Sequence, residues 1–226
     1  MARKSFQVQL DQLRSDVLYM AEMVADRLLL ALSAMESKDK AAARRVIEGD
    51  VEINELYLDL ESDCIELLAL QQPVASDLRF IAATFKIITD LERIADLAVN
   101  LGDYTLEADR AIFPEVDVQS IGHEALRMLE RAMEAYENEN AEDCFDISES
   151  DDDLDEQCRL ASKRVVRDLI EQQIDDDTPE REIEMLMEDV SRLFLTIRDL
   201  ERIGDHSVNI AARTLYMVEN DDTLIY

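Results

Sequence analysis

Four acidic residues stand in this sequence at places where helical periodicity asks for an apolar side chain. After Ile81, Phe85 and Ile88, the next slot in the alternating three-and-four rhythm is Glu92, followed by Ala95 and Val99. Val190, Phe194 and Ile197 lead in the same way to Glu201, then to Gly204 and Val208. Asp50 interrupts the series between Val46 and Ile53, and Asp151 the series between Ile147 and Leu154. Each has an oxygen-bearing companion four residues on, one turn along the same face: Asn54, Asp96, Asp155 and Asp205. Like charges at that spacing destabilise a helix, and ionised carboxylates gathered on a packing seam are costly unless something neutralises them.

Three accounts compete. With 53 acids in 226 residues, some fall on any seam as a solvated stripe, and the run Asp151-Asp152-Asp153 is partly that. Arg93 and Arg202 adjoin the acids, but a neighbour at i+1 starts about 100° further around the helix. Bound cations are the third account. Oxygen ligands without Cys or a matching His favour Mg²⁺, Mn²⁺, Ca²⁺ or oxidised iron over Zn²⁺ or Cu⁺, and carboxylates can bridge more than one such ion. The metal candidates are therefore Asp50, Asn54, Glu92, Asp96, Asp151, Asp155, Glu201 and Asp205. His206 follows Asp205, yet its counterpart in the first half is Leu97, so a symmetric site has no place for it and it is expected to pack at a helix surface. His123 stands alone. Asn100 and Asn209, one turn past Asp96 and Asp205, are placed either to orient ligands or to hydrogen-bond between helices.

No catalytic residues are assigned. A ferritin-like di-metal oxidase uses Glu-x-x-His, which the chain lacks, as it lacks a Gly-rich phosphate loop and G-x-S-x-G. Without general acids and bases besides these carboxylates, a binding or regulatory module is the expectation.

The elements that carry the acids are helices. Four glycines and three prolines are too few for the turns of a sheet protein. Phe6, Leu10, Leu13, Val17, Met20, Val24, Leu28, Ala31 and Met35 mark a first long helix. A second is predicted over about 41–71, ending before Pro73, and a third from a Ser76 cap to about Leu106. The second half repeats the plan, with helices over about 117–137 and 140–174 and a last one opened by Thr178 as cap and Pro179 as first helical residue. DLERIADLAVN from Asp90 recurs as DLERIGDHSVN from Asp199, 109 residues later with eight of eleven positions identical, which points to duplication. The predicted fold is all-α: two tandem up-down-up three-helix bundles, residues 1–112 and 113–226, divided near 111–115. Folding the second helix on the third about Pro73 sets Asp50 and Asp96 both 23 residues from the turn, and Asn54 and Glu92 both 19. About Thr178, Asp151 and Asp205 are both 27 away, and Asp155 and Glu201 both 23. Each half should therefore bring its acids face to face.

The 53 acids oppose 23 bases, a net charge of −30 that repels nucleic acid and anionic lipid. Only five of the 23 are lysines, and low lysine on so acidic a surface suits concentrated salt, where screening removes self-repulsion; a salt-adapted source is the expectation. The first ten residues form no continuous apolar core of a signal, and no run of 18 apolar residues occurs, so membrane insertion is not expected and a cytoplasmic location is. Cys64, Cys144 and Cys158 are widely spaced, with no C-x-x-C, and should pack as small hydrophobes.

ALQQPVASDLRFIAATFKIITDLERIADLAVNL, from Ala69 to Leu101, and RDLERIGDHSVNIA, from Arg198 to Ala211, resemble the PhoU family of phosphate-uptake regulators, as do RKSFQVQLDQL near the start and the QQPVASDLR turn. The resemblance implies metal clusters held by a Glu/Asp-x-x-x-Asp signature, homodimerisation, and a cytoplasmic role restraining the phosphate ABC transporter and the starvation response through the transporter ATPase and a sensor kinase. The signature falls on Glu92 with Asp96, Glu201 with Asp205 and Asp151 with Asp155. Asn54 departs from it, which makes the first site poorer in charge. The alternative is a helical adaptor for a different transporter, with no bound metal.

Overall fold

A computed structural model describes residues 2–70, 74–108, 116–171 and 179–225. Among them are seven helices and no strand: α1 (Ala2–Ser37), α2 (Lys40–Glu48), α3 (Asp50–Leu70), α4 (Ala75–Glu107), α5 (Val118–Asn138), α6 (Ala141–Glu171) and α7 (Glu180–Glu219). The turn residues Pro73 and Thr178 and the boundary at 111–115 lie outside the described residues.

The first bundle is α1, α2–α3 and α4; the second is α5, α6 and α7. The helices follow the apolar seams. Phe6, Leu10, Leu13, Val17, Met20, Val24, Leu28 and Ala31 are all buried, and they share one apolar core with Ile197, Leu200, Ile203 and Leu215 of α7. That core runs through both bundles because α4 packs along α7 and α1 along α5. The three cysteines are free and buried, as expected, and burial pushes Cys64 and Cys158 to about 12 and Cys144 to about 11.

The duplication is legible in the turns. Lys38 and Glu139, 101 residues apart, both adopt left-handed backbone at the ends of α1 and α5, with φ 55° and 53°. The next residues cap the following helices: Asp39 Oδ1 accepts from the amides of Ala41 and Ala42, and Asn140 Oδ1 from those of Glu142 and Asp143. The same offset pairs buried Val46 with Ile147, Ile53 with Leu154 and Cys64 with Val165, so α3 and the middle of α6 occupy equivalent places.

Three expectations need correction. The second helix is two helices, broken at Gly49. There Arg27 reaches from α1 and its Nη1 donates to the carbonyls of Arg45 (3.0 Å) and Val46 (3.2 Å). A Cβ on residue 49 would lie 1.4 Å from that nitrogen, so only glycine admits the guanidinium. In α6 the equivalent position is Ser150 and the helix runs unbroken. Ser76 is not a cap: α4 begins one residue earlier, with Val74 at the N-cap and no side-chain hydrogen bond. Pro179 is itself the N-cap of α7, with ψ 135°, rather than its first helical residue.

Candidate metal centre

The α6–α7 contact of the second bundle gathers Asp151, Asp155 and Asp205. One oxygen from each lies within 4.8 Å of the others, and Glu201 is one turn from Asp205 on α7. The approach is close because residue 204 is glycine: a Cβ there would meet Leu154 Cδ2 at 2.4 Å and Asp151 Oδ1 at 3.1 Å. Asp151 Oδ1 is buried and has no hydrogen-bond partner, an arrangement proteins rarely leave uncompensated. Burial first, then the charges of Asp155, Asp205, Asp152 and Glu201, push the Asp151 carboxyl up to about 7. Burial and the Asp155 charge also raise Glu201 and Asp205, the latter eased by His206 and Arg202. The donors are all oxygens, one of them orphaned, and they suit a hard divalent cation or iron.

The first bundle assembles its acids differently. Asp50 at the start of α3 faces Glu92 and Asp96 closely enough that Asp96 raises Asp50, and Asp50 raises Glu92, behind the larger effect of burial. Asp50 Oδ1 is likewise buried without a partner, but Oδ2 accepts from Asn54 Nδ2 at 2.6 Å. Arg93 is not directed away, contrary to the argument from helical angle. Its Nε lies 3.4 Å from Glu92 Oε2 and its Nη1 3.1 Å from Asp96 Oδ2, because the long side chain folds back across its own helix. The first cluster thus carries an amide and a guanidinium in direct contact with its acids, where the second has Arg202 and His206 acting on Asp205 through charge alone.

The histidine and the duplicated asparagines serve a different structure. His206 is half-buried between α4 and α7, with Nδ1 2.8 Å from Asp90 Oδ1, rather than packed at an outer surface. Asn209 Nδ2 donates to the same oxygen at 3.3 Å. In the reciprocal contact, Asn100 Nδ2 (3.1 Å) and Tyr104 Oη (2.8 Å) donate to Asp199 Oδ2, and Arg198 donates to Oδ1 through Nε and Nη2. Asp90 and Asp199 are the first residues of the two copies of the repeated motif, so two equivalent locks join the bundles. Sequence reasoning passed over both aspartates, although their duplication with Asn100 and Asn209 was the available signal.

The comparisons with known proteins agree with this architecture. The PhoU domain family matches residues 17–105 and 118–214. The chain is 31% identical to the phosphate-specific transport system accessory protein PhoU of Escherichia coli (strain K12), across 96% of this chain and 86% of that protein. It is 28% identical to the PhoU homolog of Clostridium acetobutylicum, across 96% of each. The crystal structure of PhoU from Pseudomonas aeruginosa superposes with a TM-score of 0.86 at 29% identity, covering 96% of this chain and all of that one. Two copies of the matched domain, the doubled DLERI motif and the two bundles with equivalent turns lead to one statement: the chain belongs to the PhoU domain family.

Proposed function

We propose that this protein is a cytoplasmic, non-catalytic regulator of phosphate uptake, a homodimer that restrains the phosphate ABC transporter and the starvation response by docking on the transporter ATPase. The observation that carries the reading is the second cluster: Asp151, Asp155 and Asp205 gather around a buried, unpartnered carboxylate oxygen, with Glu201 of the second DLERI copy close enough to act on Asp151. Asp151, Asp155, Glu201 and Asp205 would hold the cation, which would add positive charge where Arg202 and His206 ease only Asp205 and nothing pairs with Asp151 Oδ1. Asp50, Asn54, Glu92 and Asp96 form the poorer counterpart. A cation so placed ties two helices together and couples ion availability to the shape of the acidic face. Among the described residues no helix is long and apolar enough to cross a membrane, in keeping with a protein that acts on a transporter from outside the bilayer.

The experiment has two arms. Elemental analysis of protein purified without affinity metal, wild type against Glu201→Ala plus Asp205→Ala, should show loss of bound metal in the variant; unchanged stoichiometry refutes the site. Cells lacking the gene should then derepress phosphate uptake in phosphate-rich medium, and only the wild-type copy should restore repression. A metal-free adaptor for another transporter is the second reading, favoured at the first cluster alone by the Arg93 and Asn54 contacts. It predicts normal repression by the variant.

A further inference from the structure

α3 carries apolar residues on two opposite faces. Ile53, Leu60, Cys64 and Leu67 enter the core. Val51, Leu58 and Ile65 recur at intervals of seven on the far side and are 62%, 58% and 55% exposed. At 100° per residue these three fall within about 40° of one another, roughly opposite the buried set. A surface helix ordinarily carries polar residues there, and an apolar strip left in water marks a contact face.

The second repeat shows that the fold does not require this strip. The residues equivalent to Val51 and Leu58 are Asp152 and Arg159, both exposed charged side chains, while Ile65 corresponds to Val166, which is apolar and 45% exposed. Two of the three places thus tolerate charge, and the unbroken apolar strip at Val51, Leu58 and Ile65 is particular to α3 rather than required by the fold.

The flanks identify what that is. Glu55, Asp59, Glu61 and Glu66 border the strip, with Glu52 and Asp63 further round the helix; residues 50–70 contain no Lys or Arg, and among the described residues none of the six acids pairs with a base. Asp63 is raised by burial and by the charges of Asp16, Glu66 and Asp59, so the acids crowd one another rather than cations. A second α3 laid on the strip would set acid against acid. The seven-residue recurrence matches the seam of a packed helix, and the unpaired acids match positive flanks.

We propose that the outer face of α3 is a docking surface for a basic amphipathic helix of a partner protein, with Val51, Leu58 and Ile65 as the apolar seam and the flanking acids as its charge complement. The proposal does not depend on the metal cluster.

The probe is a synthetic peptide as long as α3, 21 residues, with leucine at the seam positions of each heptad and arginine on the flanks. A scrambled peptide of the same composition is the control, both titrated by fluorescence anisotropy at about 0.15 M salt, where long-range attraction is screened. Wild-type protein should bind the amphipathic peptide at least ~10-fold more tightly than the scrambled one. Val51→Asp plus Leu58→Arg, which copies the second repeat and leaves net charge unchanged, should abolish that preference. Should that variant melt early, Leu58→Gln plus Ile65→Gln provides the same reading. Equal binding of both peptides by the wild type, or a preference that survives the substitutions, overturns the proposal. So does light scattering that shows a wild-type oligomer which these substitutions convert to monomer, since the strip would then be a contact between copies.

Discussion

Replacing Asp151 by Asn should have opposite effects in the absence and presence of metal. The Asp151 carboxyl is raised from 3.8 to about 7 by burial and by the surrounding acids. Between those values the folded protein holds a proton that the unfolded chain has released, so stability falls as pH rises through this window and the whole cost is present above it. At about 1.36 kcal/mol per pH unit the interval corresponds to ~4 kcal/mol, and solvent on the open side of the cluster screens this to ~2 kcal/mol. Asparagine keeps the shape, removes the charge, and can donate to the neighbouring carboxylates. In chelator at pH 8 the variant should therefore be more stable than wild type by ~2 kcal/mol, or about 4–8 °C in thermal midpoint for a chain of this size. At pH 4.5 the gain should shrink toward zero. Manganese at about 100 times its dissociation constant should stabilise the wild type by ~2.7 kcal/mol and the variant far less. Scanning calorimetry at the two pH values, with chelator and with Mn²⁺, reads all of these quantities. A variant less stable than wild type in chelator at pH 8, or a difference independent of pH, would mean that Asp151 has a favourable partner and that the cluster is no cation site.

The other predictions concern the scaffold. Asp199→Ala removes the buried acceptor shared by Asn100, Tyr104 and the exposed Arg198 and should cost about 1–3 kcal/mol in urea unfolding, more than Asp90→Ala, whose site is less buried. Gly49→Ala displaces the end of the flexible Arg27 side chain from the carbonyls of Arg45, which keeps the Gly49 amide at 3.1 Å, and Val46, so the lost hydrogen bonds and the better helix propensity of alanine should nearly offset, leaving a change within about 1 kcal/mol in urea unfolding. With a net charge of −30, the thermal midpoint should rise with KCl up to about 1 M, as the Debye length falls from about 10 Å to about 3 Å; a flat response would remove the case for salt adaptation.

What the sequence made legible was periodic. Apolar seams locate long helices because burial selects one face every three or four residues, and α1 and α4 follow their seams almost end to end. Antiparallel neighbours set residues equidistant from a turn at the same height; counting from Thr178 put Asp151 level with Asp205, and one oxygen of each lies within 4.8 Å of the other and of one from Asp155. What was not legible depended on single long side chains reaching across space. The break at Gly49 exists because Arg27, 22 residues earlier, enters it. Arg93 was set aside by a rule about where side chains begin, while its charge sits several bonds from that origin. His206 looked idle because its partner, Asp90, is on the other repeat, 116 residues away.

The two halves have diverged in what neutralises their acids, and the divergence has a direction. In the first bundle Asn54 and Arg93 settle part of the charge within α3 and α4, so on the proposed reading that contact depends less on an ion. In the second, glycine at 204 lets α6 approach α7, and Asp151, whose Oδ1 is buried without a partner like that of Asp50, is pushed up to about 7, so on the proposed reading that contact gains most from a cation or a proton. The reciprocal locks, Asp90 with His206 and Asn209 and Asp199 with Asn100 and Tyr104, join the two halves through α4 and α7. A change at the second cluster thus reaches the first bundle through α7, the helix that carries Glu201 and Asp205 as well as His206 and Asn209. On this reasoning, cation removal should accelerate amide exchange in α6 and the middle of α7 first, α4 next, and α2–α3 last. Exchange that quickens in α3 before α6 would contradict the asymmetry between the two clusters.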